Sequence, residues 1–312
     1  MSKYGKDSTA EEVSEGINLD RKVVIVTGAS SGLGEETARV FALRGALVVI
    51  AVRNVASGEK TAQTILSQNP SANLKVMEVD LASLKSIRKF AADFKALNLP
   101  LNYLINNAGI MALPERKTTE DGFELQFGTN HLGHFLLTNL LADVLIKSAP
   151  ARVVTVSSLA HAFNDGKGFY FEDYNLEHNY SKWAAYAHSK TANILFSNEL
   201  NERLKKHNVE SFSLHPGGIR TPLQKELTLD EMIAHGWLDK DGNPKPDIWK
   251  TIPAGAATSV FAATSSELTG KGGAYLEDCN ITQTGTENSR DPENGRKLWA
   301  LSEKLVGQTF SY

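Results

Sequence analysis

The apolar run Val23-Val24-Ile25-Val26 leads straight into Thr27-Gly28-Ala29-Ser30-Ser31-Gly32-Leu33-Gly34, where a helical pattern begins. Strand, glycine turn and helix in that order point to a βαβ unit. Gly28 lets the chain leave the strand sharply, while Gly32 and Gly34 remove side chains where a pyrophosphate and a packed helix need room. The amide N–H groups at the helix start then face that pyrophosphate, favoured by the helix dipole. Glycine spacing alone is a weak signal, so the flanking strand and helix carry the inference.

Beyond the turn, short β-branched runs alternate with helical stretches, the signature of a parallel sheet. Strands are expected at Leu47–Val52, Leu74–Val79, Leu101–Ile105, Arg152–Val156, Glu210–Leu214 and Ala274–Glu277, about seven with the first. Helices are expected from Leu33 to a C′ glycine at Gly45, then over Ser57–Gln68, Ser83–Leu97, Phe123–Ile146, Ala184–Lys206 and Ala254–Ala263. Asp291-Pro292 caps a last one, and Ser8-Thr9-Ala10-Glu11 and Thr228-Leu229-Asp230-Glu231 read as capping boxes. No linker, repeat or low-complexity stretch intervenes. The reading is an N-terminal extension, 1–20, and one α/β domain, 21–312: a Rossmann-type doubly wound parallel sheet with helices on both faces. The helices at 123–146 and 184–206 are apolar on more than one side, so they either pair in a homodimer or lie under the chain's own insertions.

Composition narrows the classes of function. A hydrophobic content of 41% and a charged content of 22% over 312 residues suit a soluble globular protein with a sizeable core. The formal net charge of −3 gives no electrostatic case for nucleic acid or an anionic membrane as partner. Cys279 is the single cysteine, which rules out an internal disulfide and a thiolate zinc cluster and fits a reducing compartment. Residues 1–20 carry Glu11, Glu12, Glu15 and Asp20 without an apolar core, unlike a secretory signal. No apolar run approaches the roughly 20 residues that span a bilayer, so a cytoplasmic protein is expected. His131 and His134 are three apart but lack a third ligand nearby, and no metal site is expected.

Tyr186 and Lys190 form Tyr-x-x-x-Lys, one helical turn apart and on one face. Alone this pair is weak; its place in an ordered series is not. The glycine turn, Asn106-Asn107-Ala108-Gly109, a mid-helix Asn130, a strand-end Ser158, Tyr186/Lys190 and Pro216-Gly217 follow one another. A doubly wound sheet brings each to the carboxyl edge of its strands. On these motifs the chain resembles the short-chain dehydrogenases/reductases, and within them the branch of retinol dehydrogenases and WW-domain oxidoreductases, over roughly Asp20 to Cys279.

The resemblance implies that Asn130, Ser158, Tyr186 and Lys190 are catalytic. It places dinucleotide contacts at Gly28, Ser30, Ser31, Gly32, Leu33, Gly34, Asp80, Leu81, Asn107, Ala108, Gly109, Pro216, Gly217, Ile219 and Thr221, with Tyr186 and Lys190 also touching the cofactor. A free phenol, with pKa about 10, is a poor acid–base at neutral pH. Lys190 and an oxidised nicotinamide are expected to lower it. Tyr186 is then the proton donor to a carbonyl or the base towards an alcohol, and Ser158 donates a hydrogen bond to the same oxygen. By the resemblance Lys190 also holds ribose hydroxyls and Asn130 positions a water. Of the neighbouring pair, Ser157 is the one expected to be buried on the backbone.

The second strand closes on Ala51-Val52-Arg53-Asn54 with no acid for a ribose 2′-hydroxyl, and an arginine fork suits a 2′-phosphate. NADP(H) is therefore expected over NAD(H), with Arg53 and Asn54 at the adenosine end. Ser158 and Tyr186 are separated by the segment 159–185, an insertion expected to loop out beside the pocket. The segment 222–251, with Leu223, Leu227, Met232, Trp237 and Trp249, reads as a substrate lid, with Met111 and Leu113 opposite it. An apolar wall of this kind suits a small lipophilic carbonyl or alcohol. The function expected is NADP(H)-dependent hydride transfer. The alternative is an NADP(H)-binding redox sensor or assembly protein with little turnover.

Overall fold

Alternate side chains of the first strand divide between two cores. Val23 and Ile25 enter one apolar cluster with Phe90, Phe94, Phe135, Phe196 and Trp299, while Val24 and Val26 enter another with Val40, Phe41, Ile65 and Phe261. A strand's period of two requires this when both faces are covered, and it explains the unbroken apolar runs of the sequence. The computed structural model describes residues 2–163, 167–178 and 180–312.

The strands are β1 Val23–Thr27, β2 Leu47–Val52, β3 Asn73–Glu78, β4 Tyr103–Asn106, β5 Ala151–Val156, β6 Val209–His215, β7 Gly218–Ile219, β8 Trp249–Lys250, β9 Tyr275–Glu277 and β10 Asn280–Ile281. The main sheet has eight strands in the order β10-β9-β6-β5-β4-β1-β2-β3, and β7 and β8 form a separate pair. Seven strands of the main sheet are parallel; β10 is an antiparallel edge turned back through Asp278 and Cys279, both at positive φ. The expected count of about seven therefore becomes eight, because a two-residue strand is too short to leave a period. Strand order reverses between β1 and β4, which opens a crevice at their carboxyl ends.

Helices Leu84–Ala96, Gly133–Leu140, Lys182–Leu204 and Pro292–Val306 cover one face, and Gly32–Leu43, Val55–Gln68 and Ile252–Thr264 cover the other. The extension adds a short helix, Ala10–Val13, to the second core. Its capping box lies one residue later than expected: Thr9 and Glu12 exchange the reciprocal bonds. The helix expected over 123–146 is broken. Buried Glu124 caps the amides of Gln126 and Phe127, so helix starts at Leu125; a π-turn spans Gly128–Leu132, and Leu141 interrupts before Ala142–Lys147. Among the described residues no helix is long and apolar enough to cross a membrane.

The long helix Lys182–Leu204 is covered by this chain itself. Trp299 of the C-terminal helix packs on Phe135 at 5.0 Å and Phe196 at 6.1 Å between ring centroids. From the insertion, Phe169 stacks on His188 at 4.0 Å. The insertion was expected to loop out; its described part instead lies down on the helix, with Phe169 and Leu176 buried, while 164–166 and 179 lie outside the described residues. The apolar faces that suggested a second subunit thus find their partners internally. Trp299→Ala should lower the unfolding free energy by about 3–5 kcal/mol, the usual cost of emptying an aromatic site, read from urea titrations.

Candidate active site

The crevice at the strand-order reversal is a cavity of about 880 Å³. Its walls include the glycine turn Gly28–Gly34, Arg53, Asp80 and Leu81, Asn107–Gly109, Ser158, Tyr186, Lys190, Pro216, Gly217, Ile219 and Thr221. Two of the candidate catalytic and cofactor residues do not line it, nor do Leu227 and Met232 of the segment 222–251. Asn130 is fully buried behind it, and Asn54 gives its side chain to capping the helix Val55–Gln68 through Ser57.

At the glycine turn a Cβ on Gly28, which has φ +65°, would stand 2.8 Å from Ala108 Cα. One on Gly34 would stand 2.3 Å from the Gly28 oxygen and 2.5 Å from Asn107 Nδ2. Both distances are forbidden, so the turn accepts only glycine there. Ser31, the residue before the helix, makes no side-chain cap bond, which leaves the first amides open to the cavity. Asn107 has a structural task as well: its side chain donates to the Thr27 carbonyl at 2.8 Å, tying β4 to β1.

Tyr186 and Lys190 leave the long helix on the cavity side, with Lys190 Nζ 5.6 Å from the Tyr186 ring centre and donating to the Val156 carbonyl at 3.0 Å. Ser158 begins a 3-10 turn after β5; its hydroxyl accepts from the Ala160 amide at 3.1 Å and stands within hydrogen-bond reach of the Tyr186 phenol. Ser157 is buried and donates to the Lys190 carbonyl at 2.8 Å, in line with the expectation for that pair. Asn130 sits in the π-turn; its amide donates to Ile110 O at 3.0 Å and Ser189 Oγ at 2.9 Å, and its oxygen accepts from Ile110 N at 2.9 Å. A Cβ on Gly109 would touch Asn130 Oδ1 and Lys190 Nζ at 3.4 and 3.5 Å, so the two side chains meet behind that glycine.

The electrostatics differ from the expectation in one respect. Burial pushes the Tyr186 phenol up to about 12, with the Ser158 hydroxyl beside it acting the other way, and pushes the Lys190 ammonium down to about 8. In the protein alone, desolvation outweighs any help the ammonium gives the phenol. Tyr186 is therefore protonated at neutral pH.

His131, His134 and His188 are structural. Burial holds His131 and His134 neutral, near 3 and 4, and among the described residues no three side chains are grouped to hold a metal. His188 faces away from the cavity, with Nδ1 accepting from Tyr170 N and Nε2 donating to Tyr174 O. His215 lines the cavity but spends Nδ1 on the Leu159 amide. Cys279 is buried in the β9–β10 turn with its thiol pushed up to about 11. Sequence reasoning missed Lys6 and the ion pair of Lys250 with Asp278, all of which border the cavity. Only the folded topology brings those segments together.

The lid residues Leu223, Trp237 and Trp249 line the cavity opposite Met111 and Leu113. The tryptophans also hold the segment: Trp249 Nε1 donates to Trp237 O at 2.7 Å, and Trp237 stands edge-on to Trp183 at 5.7 Å.

The family model described as short chain dehydrogenase matches residues 22–170 and 175–232, and the chain belongs to that family of oxidoreductases, which bind a nicotinamide cofactor and act on alcohols or carbonyls. Within it the chain falls in the branch of retinol dehydrogenases and WW-domain oxidoreductases. It is 42% identical to short-chain dehydrogenase TIC 32 B, chloroplastic, of Brassica napus, across 98% of this chain and 95% of the relative. It is 43% identical to human retinol dehydrogenase 12 (93% and 88%) and 41% identical to the human WW domain-containing oxidoreductase (97% and 72%). A solved structure of an uncharacterized protein from Mycobacterium Paratuberculosis superposes with a TM-score of 0.75 at 34% identity, covering 96% of this chain and 98% of that one. The glycine cradle and open helix amides fit a dinucleotide pyrophosphate.

The buried lysine makes stability depend on pH. Unfolded, Lys190 titrates near 10.5; folded, near 8. Between those values the unfolded chain binds more protons, so stability rises with pH across that window. Urea titrations of the cofactor-free protein from pH 8 upwards should show this rise in wild type relative to Lys190→Met, which lacks the group.

Proposed function

We propose that the protein transfers hydride between NADP(H) and a lipophilic carbonyl/alcohol pair, with Tyr186 as the acid–base. The observation that carries the reading is that Tyr186, Lys190, Ser158 and the glycine turn open on one cavity whose far wall is apolar. The bound nicotinamide supplies or accepts the hydride. Ser158, beside the phenol, donates its hydroxyl hydrogen to the substrate oxygen, stabilising the charge that grows there. Tyr186, protonated at neutral pH, delivers its proton to that oxygen in reduction; in the other direction it must lose the proton first. Lys190 places a positive charge next to the ring and reaches towards the ribose. Asn130, locked to Ile110 and Ser189, keeps the π-turn from shifting behind Lys190. Its proposed water is held at this turn.

The NADP(H) preference rests on Arg53. It stands exposed on the cavity rim and makes no hydrogen bond or ion pair with the described residues, so its guanidinium is available to a 2′-phosphate. The same reading has the segment 222–251 close over the substrate and the protein work in the cytoplasm.

Tyr186→Phe should lower kcat by about 10²–10⁴-fold while dinucleotide binding persists, measured by NADPH absorbance over a panel of lipophilic aldehydes and ketones. Full-speed reduction by that variant overturns the mechanism. Arg53→Ala should reduce kcat/KM for NADPH by roughly tenfold or more and leave that for NADH nearly unchanged. A wild-type preference for NADH overturns the cofactor assignment.

A further inference from the structure

Behind Ser158, away from the cavity, three polar atoms are buried with no hydrogen-bond partner among the described residues: His161 Nε2, Tyr275 Oη and Ser213 Oγ. The three residues are at most 5% exposed. They are neighbours. Ser213 and Tyr275 are register partners on β6 and β9, so their side chains leave the sheet on one face. The Tyr275 ring meets the His161 ring edge to face at 5.4 Å.

His161 belongs to the turn that Ser158 begins, and its Nδ1 lies 2.6 Å from the Ser158 carbonyl. A carbonyl only accepts, so Nδ1 carries the proton, and burial keeps the ring from taking a second one. Nε2 is therefore a bare acceptor, and the hydroxyls of the neighbouring Tyr275 and Ser213 each need a partner too. One water meets all three needs: it donates to Nε2 and completes its bonding with the hydroxyls of Tyr275 and Ser213.

We propose that a buried water held by His161, Tyr275 and Ser213 forms, with the imidazole, a positioning unit for Ser158. Through Nδ1 the ring fixes the Ser158 carbonyl, and with it the direction of the hydroxyl that donates to the substrate oxygen. None of the three touches the substrate. The role of the unit rests on the reading of Ser158 given above; the water itself does not.

Two measurements separate these. A high-resolution crystal structure should show an ordered water within hydrogen-bond distance of His161 Nε2, Tyr275 Oη and Ser213 Oγ; a dry site overturns the proposal whether or not a substrate is found. In steady-state carbonyl reduction with NADPH, Tyr275→Phe should lower kcat about three- to tenfold with KM for the dinucleotide unchanged. His161→Leu should lower kcat further, and His161→Asn, whose amide stands where Nδ1 stood, should recover most of that loss. Because His161→Asn lacks the Nε2 end, adding Tyr275→Phe to it should cost little more. Ser213→Ala serves as a second probe if Tyr275→Phe folds poorly. An equal cost of Tyr275→Phe in both backgrounds, or a loss confined to thermal stability, overturns the positioning role. A water present in a protein that reduces no carbonyl with Ser158 intact overturns the role of Ser158 and leaves the water site standing.

Discussion

The hydroxyl of Thr27 holds the end of β1 to the loop that leaves β4, at the crevice that the reversal of strand order opens. It accepts from the amides of Asn107 at 2.9 Å and Ala108 at 3.0 Å, and it lies 2.9 Å from His134 Nε2. With His134 Nδ1 donating to the Asn130 carbonyl at 3.0 Å, Nε2 must accept, so the Thr27 proton goes there. One buried hydroxyl thus connects the glycine turn, the Asn107–Gly109 loop and the π-turn under Lys190. Leaving any of these amides unpaired inside the protein costs about 1–3 kcal/mol, so the three segments move together or not at all.

That rigidity explains how the interior tolerates Tyr186 and Lys190 side by side. Both are buried, and desolvation shifts both away from their charged forms, the phenol upward and the ammonium downward. An unpaired charge there would be expensive; Lys190 offsets part of the cost by donating to the Val156 carbonyl. In the free protein Tyr186 thus keeps its proton at neutral pH, the state from which the proposed carbonyl reduction would start.

The sequence made legible what is decided locally. The glycine turn, the Gly45 stop, the Thr228–Glu231 box and the Asp291-Pro292 cap depend on a few neighbouring residues, and all are present. Where two local solutions compete, sequence reasoning chose wrongly: Ser8/Glu11 and Thr9/Glu12 both satisfy the box pattern, and packing of Ala10 and Val13 selects the second. The π-turn at Asn130 was hidden because its apolar residues still follow a helical period. Gly128 and Gly133 mark it only through partners far away: a Cβ on Gly133 would lie 2.4 Å from the Leu81 oxygen. The insertion's course was likewise illegible, since His188 binds it from both ring nitrogens through backbone groups of Tyr170 and Tyr174, 18 and 14 residues earlier in the chain. Of the candidate site, the residue types and their convergence could be read; the protonation states could not, because burial is a property of the whole fold.

The segment 222–251, the proposed lid, is held unevenly. Its short helix Leu229–Ala234 contains no buried residue, and Leu229 is 52% exposed. Glu231 pairs with Lys182, in the first turn of the helix that carries Tyr186, but both side chains are partly exposed and such pairs contribute at most about 1 kcal/mol. The segment's firmer hold is the contact of Trp237 with Trp183 and Trp249. Segments with few buried groups open first, and the helix Leu229–Ala234 is held to Lys182–Leu204 by the Glu231–Lys182 pair and by Met232, which packs in the cluster with Tyr186 and Trp183. On the proposed function, substrate entry would loosen this segment without disturbing the Thr27 junction behind Tyr186 and Lys190.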